Sequence, residues 1–142
     1  MAEPRIVVRR LDPDDDAVLD AALRRSRGEP SAAPDLFLGD PHAHAFVALE
    51  GRDVIGWAFG QEVLRPEGRW TMLVYEIGTS EDARARRVGH LLLEAFAELA
   101  RSRGHRRMWL FTDAGHRAAR AIFPEAGGER GPGESGYWWV FA

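Results

Sequence analysis

The sequence predicts an α+β fold: a single mixed and mostly antiparallel central β-sheet flanked by about four α-helices, in one domain spanning residues 1–142. Three observations lead there. With 142 residues, 45% of them apolar, the chain is long enough for one domain with a real core and too short for two ordinary domains. Three apolar segments follow one another between residues 45 and 80 with short polar connections, the pattern of an antiparallel meander. Beyond them, helical and strand patterns alternate to the last residues.

Taken in order, residues 6–10 (IVVRR) form a short β-branched strand. Asp12-Pro13 and the carboxylates after it predict a helix start, with proline at its first position and negative charge at the positive dipole end. The stretch Gly28-Glu29-Pro30-Ser31 breaks that helix, and residues 35–40 (DLFLGD) read as one more helical turn before Pro41. Residues 45–50 and 53–61 are strands joined by a tight turn around Gly51-Arg52, and residues 70–80 supply the next strand. In residues 86–104, Val88, Leu92, Ala95, Phe96 and Leu99 recur at helical spacing and Gly104 closes the C-terminal end. A strand over 108–112, a helix over 117–126 ended by Gly127-Gly128, and a strand over 137–141 complete the order.

Several function classes fall away on composition. The chain has no cysteine, which excludes disulfides, thiolate metal sites and a cysteine nucleophile. No apolar run approaches the length of a membrane span and the first residues lack a secretory pattern, so a soluble, cytoplasmic protein is expected. Charge is unevenly divided: residues 1–82 carry 16 Asp/Glu against 9 Arg, residues 83–142 carry 6 against 10. That asymmetry suits a protein that holds a cationic molecule with one half and a polyanionic one with the other, although solvated surface charge gives the same count.

The stretch from Glu76 to His90 joins a strand to a long helix through a polar, arginine-rich loop. Free amide N–H groups at a helix start, backed by the positive dipole end, bind pyrophosphate, and arginines add charge and donors. Around this loop the chain resembles the GNAT superfamily of acetyltransferases, whose R/Q-x-x-G-x-G/A motif is matched by Arg84-Ala85-Arg86-Arg87-Val88-Gly89. A second family motif resembles Ala119-Arg120-Ala121-Ile122-Phe123-Pro124-Glu125-Ala126-Gly127-Gly128. Within the superfamily the chain looks most similar to small bacterial aminoglycoside 3-N-acetyltransferases. The resemblance implies the GNAT fold and acetyl transfer from acetyl-CoA, as co-substrate, to an amine of a cationic small molecule. It places Ile77, Gly78, Thr79, Arg84, Arg86, Arg87, Val88, Gly89, His90, His116 and Phe123 at the CoA site. Three of these depart from the family pattern: Arg87 replaces the first motif glycine, Phe123 a tyrosine, and His116 an asparagine. A phenylalanine cannot protonate the leaving thiolate, and Tyr137 is the phenol left to stand in for it.

Glu76 is the candidate base, one residue before the backbone that receives the acetyl group in the family's geometry; the same position also suits an ordinary carboxylate on an open sheet face. Asp35, Asp40, Glu62, Asp113 and Glu134 sit in loops or at strand ends that border an acceptor cleft, where each is also read as a solvated charge. Asp40, His42 and His44 make a poor zinc pattern and are assigned to a surface loop, so no metal is expected. The aromatic residues 137–139 offer one face to the core and the other to the cleft or to a homodimer contact.

Two functions from different classes follow. One is an acetyl-CoA-dependent N-acetyltransferase acting by direct attack of the amine. The other is a non-catalytic module of the same fold that binds a cationic antibiotic or metabolite. Nucleic-acid binding by the arginines of residues 84–107 requires a continuous basic face with aromatic stacking positions, and the acidic N-terminal half argues against it. No nucleic acid or membrane partner is expected.

Overall fold

The computed structural model describes residues 5–81 and 85–110. Among the described residues five strands form one sheet in the order β1-β2-β3-β4-β5: β1 Ile6–Arg10, β2 Ala43–Glu50, β3 Asp53–Leu64, β4 Trp70–Thr79 and β5 Met108–Leu110. The first four are antiparallel neighbours and β5 runs parallel to β4. Three helices are described, α1 Asp16–Arg27, α2 Pro34–Leu38 and α3 Ala85–Ser102. The expected fourth helix and the closing strand lie outside the described residues. Among the described residues no helix is long and apolar enough to cross a membrane.

Each face of the sheet carries its own core. On one, Phe46, Met72 and Val74 pack with Val88, Leu92 and Phe96 of α3. Fully burying such side chains contributes about 1.5–3 kcal/mol each. On the other, Leu19 and Ala22 of α1 pack with Val47, Val54, Trp57 and Phe59, and Phe37 of α2 meets Phe59 edge to face at 6.3 Å. Helix α1 begins three residues after Pro13, not at it. The reason is a turn held by polar groups: Arg9 grips Asp15 with two guanidinium bonds of 2.7 and 2.9 Å, and Asp15 N–H donates to the Asp12 carbonyl at 3.0 Å.

Helix α3 packs directly over Gly56, where the sheet carries no side chain. A Cβ there would come within 2.4 Å of Val88 Cγ1 and 3.0 Å of Leu92 Cδ1. Valine has little rotamer freedom on a helix with which to retreat. Gly56→Ala is therefore expected to cost about 1–3 kcal/mol, seen as a lowered urea midpoint, and to shift the start of α3.

Candidate active site

Strict alternation along β4 would send Val74 and Glu76 to one face and Tyr75 and Ile77 to the other. The strand does not alternate strictly. Phe59 pairs with Glu76 but Gly60 pairs with Val74, so Tyr75 is an extra residue, a β-bulge. Met72, Val74 and Ile77 all pack toward α3, and Gly78 abuts Trp57 on the opposite face, where an added Cβ would sit 2.6 Å from the indole. The bulge thus keeps Glu76 out of the α3 core and places it on the α1 side. There the Glu76 carboxylate accepts a hydrogen bond from Arg27 of the last turn of α1, with a quarter of the glutamate and over half of the arginine side chain exposed. Tyr75 is 43% exposed and lies close enough to feel both charges; burial of the remainder pushes its phenol above the ordinary tyrosine range, so it stays protonated. The sequence reasoning named Tyr137 as the spare phenol and passed over Tyr75, whose one signal was its place beside Glu76.

The junction between β4 and α3 has features that fit an extended anionic ligand. β5 pairs with residues 72–74 alone, so among the described residues the outer edge of residues 75–79, which includes Ile77, Gly78 and Thr79, has no ladder partner. Ser80 closes the strand by donating its N–H to the Ile55 carbonyl at 2.9 Å, while its Oγ is buried with no hydrogen-bond partner among the described residues. A buried hydroxyl left unpaired costs about 1–3 kcal/mol, and a polar group arriving at the junction removes that cost. Ser80 was not singled out from the sequence. No acidic residue lies in the first turn of α3, so its positive dipole end is uncompensated from within. Arg87 points into solvent, Val88 is core, Gly89 is buried, and His90 pairs with Glu94 at 3.0 Å. Val88 and Gly89 therefore have no side-chain donor to offer a ligand.

Glu62 has a different place from the one expected of it. Far from bordering an acceptor cleft, it is 6% exposed and gathers three donors: His44 Nε2 at 2.6 Å, His105 Nε2 at 2.6 Å and Arg103 Nη1 at 2.8 Å. Burial pushes the Glu62 carboxyl up, but the bonds from the two histidines and the charge of Arg103 outweigh it and hold the group below the ordinary carboxylate range. His44 was assigned to a surface loop; it is buried on β2, and burial pushes its imidazole down despite the neighbouring carboxylate. Arg10 Nη2 donates to His44 Nδ1 at 2.7 Å, so the neutral ring carries its proton on Nε2 and donates it to Glu62. With both its oxygens engaged, Glu62 is a clamp tying the α3–β5 turn to the sheet.

Asp35 and Asp40 are exposed at the two ends of α2, and Asp40 Oδ1 accepts the His42 N–H at 2.8 Å. Helix α2 shares the α1 face with Glu76, since Phe37 rests on Phe59 and Phe59 pairs with Glu76. Arg84, Asp113, His116, Phe123 and Glu134, the side chain of Arg86, and the aromatic run 137–139 lie outside the described residues. No group of three or more His, Cys, Asp or Glu arranged to hold a metal occurs among the described residues.

Residues 15–127 match the profile of the acetyltransferase (GNAT) family. Solved structures similar to this chain include an aminoglycoside acetyltransferase, meta-AAC0020, from an uncultured soil metagenomic sample, determined with trehalose and with sisomicin. It is 12% identical, with a TM-score of 0.85 over 96% of this chain and 97% of that one. Aminoglycoside N-acetyltransferase AAC(6')-Iy, determined with CoA, is 15% identical, with a TM-score of 0.79 over 95% of each chain. Ribosomal-protein-alanine N-acetyltransferase from Brucella melitensis biovar Abortus 2308 is 17% identical, with a TM-score of 0.77 over 96% of this chain and all of that one. No curated protein sequence matches.

Proposed function

The chain belongs to the acetyltransferase (GNAT) family, and from that premise we propose that it moves an acetyl group from acetyl-CoA to a primary amine of a cationic small molecule of the aminoglycoside type. The observation that carries this reading is the bulge at Tyr75, which turns Glu76 out of the core beside a phenol that keeps its proton. Glu76 takes a proton from the incoming ammonium; the freed amine attacks the thioester carbonyl and a C–N bond forms; the tetrahedral nitrogen gives up its second proton, which Tyr75 or water relays to the sulfur as the C–S bond breaks, so that CoA leaves as the thiol. The edge of residues 75–79, which has no ladder partner among the described residues, Ser80 Oγ and the first turn of α3 are the groups suited to hold the pantetheine and pyrophosphate. Ile77 and Thr79 act through their backbone, with Arg84, Arg86, Arg87 and His90 supplying donors to the anion. Asp35 and Asp40 supply negative charge on the acceptor side.

One observation favours the rival, a cation-binding module without chemistry: the Glu76 carboxylate already holds a guanidinium. Calorimetric titration with acetyl-CoA, followed by an amine panel assayed for thiol release, separates the two. The enzyme reading expects binding at micromolar to millimolar ligand and thiol release with at least one polyamine sugar. Binding of the sugar with no thiol release from any amine establishes the module.

A further inference from the structure

A groove rich in positive charge lies at the other end of β4 from Glu76. It encloses about 750 Å³ between the β3–β4 connection and the α3–β5 turn, and five arginines line it against one glutamate, Glu67. A ten-residue strand separates its ends by roughly 30 Å, so this groove is remote from the β4–α3 junction. Arg103, at its floor, is spent on Glu62. Arg65, Arg69, Arg106 and Arg107 are exposed and make no side-chain hydrogen bond or ion pair among the described residues. Trp70 and Trp109 stand among them. The Trp70 ring stacks on His42 at 4.4 Å and 18°, which fixes its plane, and Trp109 is 42% exposed on β5.

We propose that this groove binds a short single-stranded nucleic-acid segment, its phosphates on Arg65, Arg69, Arg106 and Arg107 and a base stacked on Trp109. Uncommitted guanidinium groups match phosphate geometry with paired donors. Tryptophan beside them provides a π-face that any base can use, the combination by which single strands are held without sequence preference. An acidic peptide uses the arginines equally well but leaves the indoles without a role. The volume suits one or two nucleotides rather than a duplex, falling within the range of small-ligand clefts. This supplies the basic face with stacking positions that the linear sequence could not display, because residues 65–71 and 103–109 meet only through the pairing of β4 with β5. The acidic N-terminal half is no obstacle, since neither its helix α1 nor α2 contributes to the lining.

The test is fluorescence anisotropy of a labelled eight-nucleotide oligouridylate with the full chain, with and without saturating acetyl-CoA. Expected results are binding in 50 mM salt that weakens on salt addition with a log–log slope of about −1 to −2, as the two or three phosphates of a dinucleotide stretch in a single strand require. Arg106→Ala with Arg107→Ala is expected to weaken binding at least tenfold. Trp109→Ala is expected to weaken it about fivefold or more, with Trp109→Phe retaining most of the affinity. These side chains are exposed, so the variants are expected to fold, and their circular dichroism provides the check. Loss of the oligonucleotide on adding acetyl-CoA places it in the CoA site and overturns the proposal. So does tight binding of decaglutamate that shares the arginine dependence while Trp109→Ala leaves oligouridylate unaffected, as does no binding at millimolar protein.

Discussion

Glu62→Ala is expected to remove about 3–5 kcal/mol of stability, because it leaves two buried imidazole donors, His44 and His105, and the partly exposed Arg103 without their acceptor. Folding stability of a domain this size is only about 5–15 kcal/mol, so the variant should unfold at markedly lower urea and temperature. The three donors come from β2, from the end of α3 and from the turn into β5. Glu62→Gln, which retains one acceptor oxygen, should lose less than the alanine variant. The pH dependence separates this cluster from an ordinary packing defect. Glu62 is held below its ordinary 4.5 and His44 below its ordinary 6.5, so at each group the unfolded chain takes up a proton before the folded one does. Stability is therefore full at neutral pH, starts to fall as the pH drops below about 6.5, where unfolded His44 protonates, and falls further below about 4.5, where unfolded Glu62 does so. The alanine variant lacks the second loss, so the gap between it and the wild type should narrow in acid. A gap that stays constant from pH 8 to pH 4 would show that Glu62 matters for its volume and not for its charge.

The sheet was legible in the sequence because its strands obey simple patterns: IVVRR, the run around Gly51-Arg52 and the segment from Trp70 are β1 to β4 within a few residues. The periodicity of Val88, Leu92 and Phe96 gave α3, and those three residues are among its most buried. What could not be read depends on relations between segments. A bulge is an excess of one residue relative to a partner strand, so nothing in VYEIG alone marks Tyr75 as the extra one. Glu62 looked like a strand-end carboxylate because the partners that bury it, His44 and Arg103, lie 18 and 41 residues away in sequence. Its one local signal was that apolar residues continue past it to Leu64, which extends β3 beyond the expected end at Gln61. The candidate base itself was legible through the family motif. Its ion pair with Arg27 was not, since that requires the C-terminal turn of α1 to reach the middle of β4.

Glu76→Gln is expected to lower kcat by about 10²–10⁴-fold, the usual worth of a positioned general base, with the affinity for acetyl-CoA unchanged because the side chain faces away from α3. The wild-type rate should climb with pH until the base and the acceptor amine have lost their protons, and the variant should lose the limb that belongs to the base. Arg27 offers the second half of the argument. Its guanidinium occupies the carboxylate in the free protein, and a cationic acceptor must displace it. An exposed ion pair is worth about 0–1 kcal/mol, so the displacement is easy, and Arg27→Ala should lower the acceptor KM by at most about fivefold while sparing kcat. The two variants thus read different steps: Glu76→Gln the chemistry, Arg27→Ala the access of the cation to its base. If Glu76→Gln acetylates every amine at the wild-type rate and with the same pH profile, proton removal passes to water or to another carboxylate. If Arg27→Ala instead abolishes turnover along with Glu76→Gln, the guanidinium is not a placeholder but part of the machinery, holding the carboxylate where the acceptor needs it.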